Sequence, residues 1–268
     1  MIRHLNPLSL TVTGGEPLLR QDLENIVSSI RRQTEFVFIN LITNGWLLSV
    51  DRAKSLWDAG LNQITVSLDF PDARHDCLRG KDGLWRRLSE LLPKLSRSGI
   101  DNLCLNTVIM KENSNDLLTL ARLARDWHFK ISFSTYNPFK IGNPDHLIPP
   151  EQTASLSATI EELIRWKRKH RNVTNSDDYL RKIPRYFERG RIPGCLAGRK
   201  WVQICPDGVL KRCSDSESLG DWSRFRPNRL PHTLCQNCWY ACRGEAEAPL
   251  GIRRILELNR PARPELRK

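Results

Sequence analysis

Residues 8–17 read LSLTVTGGEP, a short apolar, β-branched run that ends in two glycines, a glutamate and a proline. The run has the composition of a buried strand. Gly14 and Gly15 let the backbone turn sharply and approach a ligand closely. Glu16 puts a carboxylate at the strand end, and Pro17 blocks further pairing. Four similar runs follow: FVFINLI at 36–42, ITVSL at 64–68, LCLNTVI at 103–109 and KISFST at 130–135. Between them Leu23, Ile26, Val27 and Ile30 recur at helical spacing, as do Leu84, Leu88, Leu91, Leu92 and Leu95, with Pro93 predicting a kink or early stop. Weaker helices fit 51–59 and 115–127. Near-continuous apolar strands joined by helices predict a parallel sheet buried on both faces, because a crossover helix is what returns the chain to a parallel neighbour. The expectation is an α/β fold, either a β/α barrel or a doubly wound sheet, with ligands at the carboxyl ends of the strands.

The 268 residues include 40% hydrophobic side chains, enough for a real core, so global disorder is excluded. Lys and Arg number 42 against 30 Asp and Glu, a net charge of +12. No apolar run approaches the roughly 18–20 residues needed to cross a bilayer. The start, MIRHLNPLSLTVTGGEP, has no signal-peptide pattern, so a cytoplasmic protein without a membrane partner is expected. In that reducing setting clustered cysteines point to metal or redox chemistry before disulfides. Residues 151–191 predict two helices, the first striped by Leu156, Ile160, Leu163 and Ile164. Ten basic residues run from Arg165 to Arg191 against Asp177, Asp178 and Glu188. They form either a solvated helix face or a surface for an acidic peptide or protein. No aromatic-and-basic motif supports nucleic acid binding. The tail from Leu250 is Arg- and Pro-rich and expected to fray.

Each later strand also delivers polar groups to its end: Thr43-Asn44-Gly45, Ser67-Leu68-Asp69 followed by Arg79-Gly80, and Asn106-Thr107. Several strands feeding one rim are the arrangement of a ligand site. TGGEPLLR, LITNGWLL, ITVSLD, the RG with a following Gly83, and NTV together resemble the radical SAM superfamily in order and spacing, over roughly residues 8–135. The resemblance implies that Gly14, Gly15 and Glu16 hold the methionine amino group of S-adenosylmethionine, a charge-assisted pairing natural for a carboxylate. It implies that Ser67 and Asp69 lie near the ribose and the methionine part, that Arg79 faces the methionine carboxylate, and that Asn44 and Asn106 are rim residues. No hydrogen-abstracting or other catalytic residue is singled out.

One departure stands out. The family's CxxxCxxC loop, which holds the radical-generating 4Fe-4S cluster, should precede GGEP, and only thirteen residues precede Gly14. Cys77 and Cys104 do not substitute by spacing. The expectation is a partial, TIM-like β/α barrel lacking its first strand and unable, as written, to cleave S-adenosylmethionine. The radical-generating cluster is expected only in a full-length protein. A truncated start and a degenerate relative are the two explanations.

Six of the eight cysteines fall between residues 195 and 242. Cys195 is followed by the pattern x12-Gly-x4-Cys, reaching Gly208 and Cys213, and then comes Cys235-x2-Cys238-x3-Cys242. Pro206-Asp207-Gly208 predicts a hairpin turn that brings Cys195 and Cys213 together. Such thiolates hold either zinc or an iron–sulfur cluster. The pattern resembles the SPASM domain, or its shorter one-cluster twitch form. That resemblance implies an auxiliary 4Fe-4S cluster on Cys195, Cys213, Cys235 and Cys238, with Cys242 competing for the fourth place and Cys205 spare. The chain is thus expected to comprise a core at 1–150, a helical continuation and basic linker at 151–191, a Cys-rich domain at 192–249 and a tail at 250–268. Its implied activity is radical SAM chemistry on a peptide, protein or small polar substrate, fed by an electron donor. The alternative is an inactive relative, or a zinc-ribbon protein that docks an acidic partner.

Overall fold

The computed structural model describes residues 2–34, 36–140, 142–226, 230, 233–249 and 251. Apart from Gly251, the tail expected to fray lies outside them. A short helix α1 (Ile2–Leu5) leads into five strands, β1 (Ser9–Val12), β2 (Phe38–Thr43), β3 (Gln63–Ser67), β4 (Leu103–Ile109) and β5 (Lys130–Thr135). All pair in parallel and in chain order, forming a half-barrel. The crossovers carry α2 (Leu23–Gln33), α3 (Val50–Asp58), α4 (Arg74–Arg79), α5 (Leu84–Ser96) and α6 (Leu117–Asp126). Pro93 does not cut α5 short at once; the helix runs three more residues and ends at Ser96, so the ring sits in its last turn.

The outer face of the sheet is apolar because alternate residues meet the helices. Ile39, Leu41, Ile64, Val66, Leu105, Ile109, Ile131 and Phe133 are fully buried there with Leu56, Leu88, Leu92 and Leu120. The expectation of two apolar faces fails on the other side. Thr11, Asn40, Thr65, Ser67, Asn106, Ser132 and Ser134 occupy the alternate positions, and Thr65 Oγ1 donates to Asn40 Oδ1 across that face at 2.9 Å. The inner face is thus a partly polar trough, shared with Phe38, Ile42, Cys104 and Val108.

Beyond β5 the sheet continues by a single residue. Ile131 N donates to the Asn172 carbonyl at 2.8 Å, and Thr174 N returns to the Ile131 carbonyl at 2.9 Å. The Asn175 side chain then stands in for a strand: its Oδ1 accepts from Phe133 N at 2.6 Å and its Nδ2 donates to the Phe133 carbonyl at 3.1 Å. Two helices, α7 (Thr153–His170) and α8 (Asp177–Arg189), flank this segment. A small antiparallel sheet of β6 (Gln203–Ile204), β7 (Val209–Lys211) and β8 (Ser218–Asp221) follows, with the expected turn between β6 and β7. Helix α9 (Ala241–Glu247) closes the described chain. The sequence pattern showed none of α1, α4, β8 and α9.

Asn175 is 1% exposed, so nothing else can satisfy the Phe133 backbone if its amide is lost. Asn175→Leu should cost at least about 2 kcal/mol by leaving two buried backbone groups unpaired, read as a lower urea midpoint with an unchanged slope.

Candidate functional site

The carboxyl ends of β1 to β4 form one continuous polar rim. Gly14 and Gly15 follow β1 with φ of +91° and +51°, a left-handed turn that side chains resist. A Cβ on either would meet nothing within 4 Å, so their backbone faces open space. Glu16 is held from two sides. Its Oε1 accepts from Leu18 N at 3.1 Å and from Thr43 Oγ1 at 2.7 Å, and its Oε2 accepts from Asn44 N at 2.8 Å. Asn44 itself forms a side-chain turn, its Oδ1 accepting from Trp46 N at 2.8 Å.

One strand further on, Ser67 pairs in register with Asn106. Asp69 is 1% exposed, yet its carboxylate is well supplied. Oδ1 accepts from Val108 N at 2.9 Å, and Oδ2 takes the Arg79 Nε and Nη2 at 2.8 and 2.6 Å. The backbone of Asp69 is tied down too: its N–H donates to His75 Nδ1 at 3.2 Å, and its carbonyl accepts from Asn113 Nδ2 at 2.9 Å. Gly14, Gly15, Glu16, Asn44, Ser67 and Asp69 thus sit at or just past the carboxyl ends of β1 to β3, Arg79 reaches Asp69 from α4, and Asn106 pairs with Ser67 three residues short of the end of β4. Arg79 has already committed one edge of its guanidinium to Asp69. The sequence reading placed Thr43 at the rim without giving it a role, and it passed over His75 and Asn113. His75 was findable in principle, since HDCLRG places a histidine and an aspartate one turn before Arg79.

His75 is fully buried, and with Nδ1 accepting, its proton sits on Nε2, which meets no acceptor among the described residues. Burial holds its pKa down to about 4; the Asp69 and Asp76 charges oppose this and the Arg79 charge reinforces it.

The cysteines of the C-terminal part are all free thiols. Burial is what raises the Cys242 thiol, to about 11. Burial raises the Cys195 thiol and pushes Cys238 up to about 12. Among the described residues, no three His, Cys, Asp or Glu side chains converge tightly enough to hold a metal ion as placed. Thiols suit iron or zinc chemically, and ligation would require proton loss together with a rearrangement that brings them together.

Residues 5–124 match the family model described as the radical SAM superfamily. The match takes in β1 to β4 and the rim at their ends. The chain is 35% identical over 149 residues to a GTP 3',8-cyclase of Picosynechococcus, an alignment covering 53% of this chain but only 45% of that enzyme. It is 28% identical over 281 residues to the PqqA peptide cyclase of Granulibacter bethesdensis, covering 92% of this chain and 72% of the cyclase. Among solved structures, anSMEcpe with bound AdoMet superposes with a TM-score of 0.61 at 17% identity, over 81% of this chain and 64% of that one. Streptococcus suis SuiB bound to its precursor peptide SuiA gives 0.58 at 16% identity, over 79% and 51%. At such identities the superpositions establish a shared fold. No helix among the described residues is long and apolar enough to cross a membrane.

Within the matched segment, neutral His75 is a pH liability. Its folded pKa lies below the ordinary value of about 6.5, so its contribution to stability is intact above pH 6.5 and is lost as pH falls toward 4. Between pH 7 and pH 5 that amounts to about 2 kcal/mol. Denaturant titrations at both pH values should show this loss, and His75→Gln, which keeps an acceptor for Asp69 N, should remove most of it.

Proposed function

We propose that the rim binds S-adenosylmethionine and that the protein works as a radical SAM enzyme on a peptide substrate. The observation that carries this is Glu16: an anchored carboxylate with one acceptor position left on Oε2, beside exposed glycine backbone. A primary ammonium is the ligand such a site is built for, because it offers a charge and several donors at close range. Gly14 and Gly15 would add backbone carbonyls, Ser67 and Asp69 would lie near the ribose and the methionine part, Asn44 and Asn106 would line the rim, and the free edge of Arg79 would meet the methionine carboxylate. Held against a reduced 4Fe-4S cluster, S-adenosylmethionine supplies a 5′-deoxyadenosyl radical that abstracts hydrogen from substrate. The part of the rim residues named here is to bind and orient S-adenosylmethionine.

The substrate reading rests on the partly polar trough and on the PqqA peptide cyclase, whose match runs through both parts of the chain. Hydroxyl and amide side chains on the inner face suit an extended peptide backbone better than an apolar ligand. The segment at 192–249 then takes the role of an auxiliary-cluster domain, with Cys195, Cys213, Cys235 and Cys238 as ligands and Cys242 as the competitor for the fourth place. Eight unpaired cysteines fit a reducing, cytoplasmic setting and an electron-donor partner.

Equilibrium dialysis with S-adenosylmethionine tests the rim. Glu16→Ala should weaken binding at least about tenfold, the scale of one lost charge-assisted contact, with little change in helix content. Equal affinity of the variant and the parent would remove Glu16 from the site. For the cysteines, Cys213→Ala should lower the iron and sulfide bound per chain after anaerobic reconstitution; zinc in place of iron in the parent protein would refute the iron–sulfur assignment.

A further inference from the structure

Arginine is almost never fully buried without a specific partner set, and Arg243 is 0% exposed. Its guanidinium is spread over three pieces of chain. Nη1 donates to the Cys238 carbonyl at 2.6 Å, and Nη2 donates to the Ile192 and Pro193 carbonyls at 2.8 and 3.1 Å. Nε lies 3.2 Å from both carboxylate oxygens of Glu247, one helical turn on. Glu247 also accepts from Leu196 N at 2.8 Å. Cys195 is therefore clasped from both sides, by Arg243 before it and by Glu247 after it. A backbone bond from Ile192 N to the Gln236 carbonyl at 2.9 Å joins the same segment to the stretch between Cys235 and Cys238.

The remaining residues of α9 fasten this clasp to the half-barrel. Ala241 N donates to Ser134 Oγ at 3.2 Å, and the Glu245 carboxylate accepts from Ser176 N at 2.8 Å. A Cβ on Gly244 would lie 2.0 Å from the Tyr179 ring, so glycine is what lets α9 approach α8. Tyr179 stacks on Trp239 at 5.6 Å, and both Thr135 Oγ1 and Tyr179 Oη donate to the Trp239 carbonyl.

We propose that Arg243 is a positioning residue for the cysteine site: one planar fork sets the Cys195 segment against the Cys235–Cys238 loop before any metal arrives. The inference rests on the reading that these cysteines hold a metal. A mere loop tether could be apolar and would avoid the desolvation cost of a buried cation. What the guanidinium adds is geometry, since three carbonyls and a carboxylate in different directions demand a planar donor with five N–H groups. The ammonium of lysine carries the same charge but offers a single point.

Cobalt(II) alone, added anaerobically to the metal-free chain, provides the test, because thiolate-to-cobalt absorption reports how many sulfurs ligate. The parent should bind cobalt with thiolate bands. Arg243→Lys should weaken that binding at least tenfold against a competing chelator and lower the thiolate absorption per bound cobalt. Its dialysis with S-adenosylmethionine should be unaffected. A general loss of stability would shrink the folded fraction without changing the spectrum of each bound ion, so that pattern would overturn the proposal, as would parent-like affinity and spectrum. If Arg243→Lys does not fold, Glu247→Gln, which leaves an acceptor for Leu196 N but weakens the hold on Nε, should show the same spectral change in smaller measure; an unchanged spectrum there overturns the proposal. A parent protein that binds no cobalt through sulfur would instead bring down the reading of the cysteines, and this inference with it.

Discussion

Asp69 is the group on which the rim depends. A carboxylate with 1% exposure is tolerable only when its lone pairs are occupied, and here they are taken by Val108 N and the Arg79 fork. The same residue uses its main chain to hold His75 and Asn113. Through the side chain and the two backbone polar groups of one residue, the end of β3 is thus fixed to β4, to α4 and to the loop beyond β4. His75 stays neutral because its surroundings are desolvated, so it accepts from the Asp69 amide without adding a second buried charge. A rim assembled this way is rigid where a bound cofactor needs it to be, at the positions that bracket Ser67 and Asn106.

Glu16 repeats the logic at lower burial. Two of its three donors come from Thr43 and Asn44 at the end of β2, so the turn after β1 is positioned by its neighbouring strand and not by its own residues. A side chain at either glycine before it would meet nothing within 4 Å; the glycines supply a backbone conformation and an open approach. Anchored carboxylate and bare backbone together suit a positively charged group, which agrees with the match of residues 5–124 to the radical SAM family model. The inner face of the sheet serves the same end, because its polar alternate positions leave a trough where a second apolar face would have left a packed core.

The cysteine-bearing part is organised differently. Its small sheet is short and largely exposed, and little apolar area is available to hold it. Order comes instead from α9, a helix of seven residues whose contacts are mostly hydrogen bonds and ion pairs. Such contacts are directional, so they place segments accurately while contributing little net stability each. Burial keeps the Cys195 and Cys238 thiols protonated, so any metal they took up would have to displace those protons.

Much of this was legible in the chain itself. The five parallel strands and the helices α2, α3, α5 to α8 follow from local apolar periodicity, which is a property of consecutive residues. The rim residues follow from where each apolar run stops. The short elements escaped because their reasons are not local. Helix α9 reads as ACRGEAE, with an arginine and a glycine where a helix face should be apolar, and both make sense only against Cys238, Ile192 and the Tyr179 ring. Asn175 reads as a loop residue and acts as a strand because Phe133 lies opposite it. The polarity of the inner face was visible as scattered Thr, Ser and Asn, but its meaning required the register that lines them up. Which residues carry polar chemistry was decided by the sequence; which of them share a donor, a carboxylate or a face was decided by tertiary structure, since hydrogen bonding across tens of residues leaves no periodic trace in a single chain.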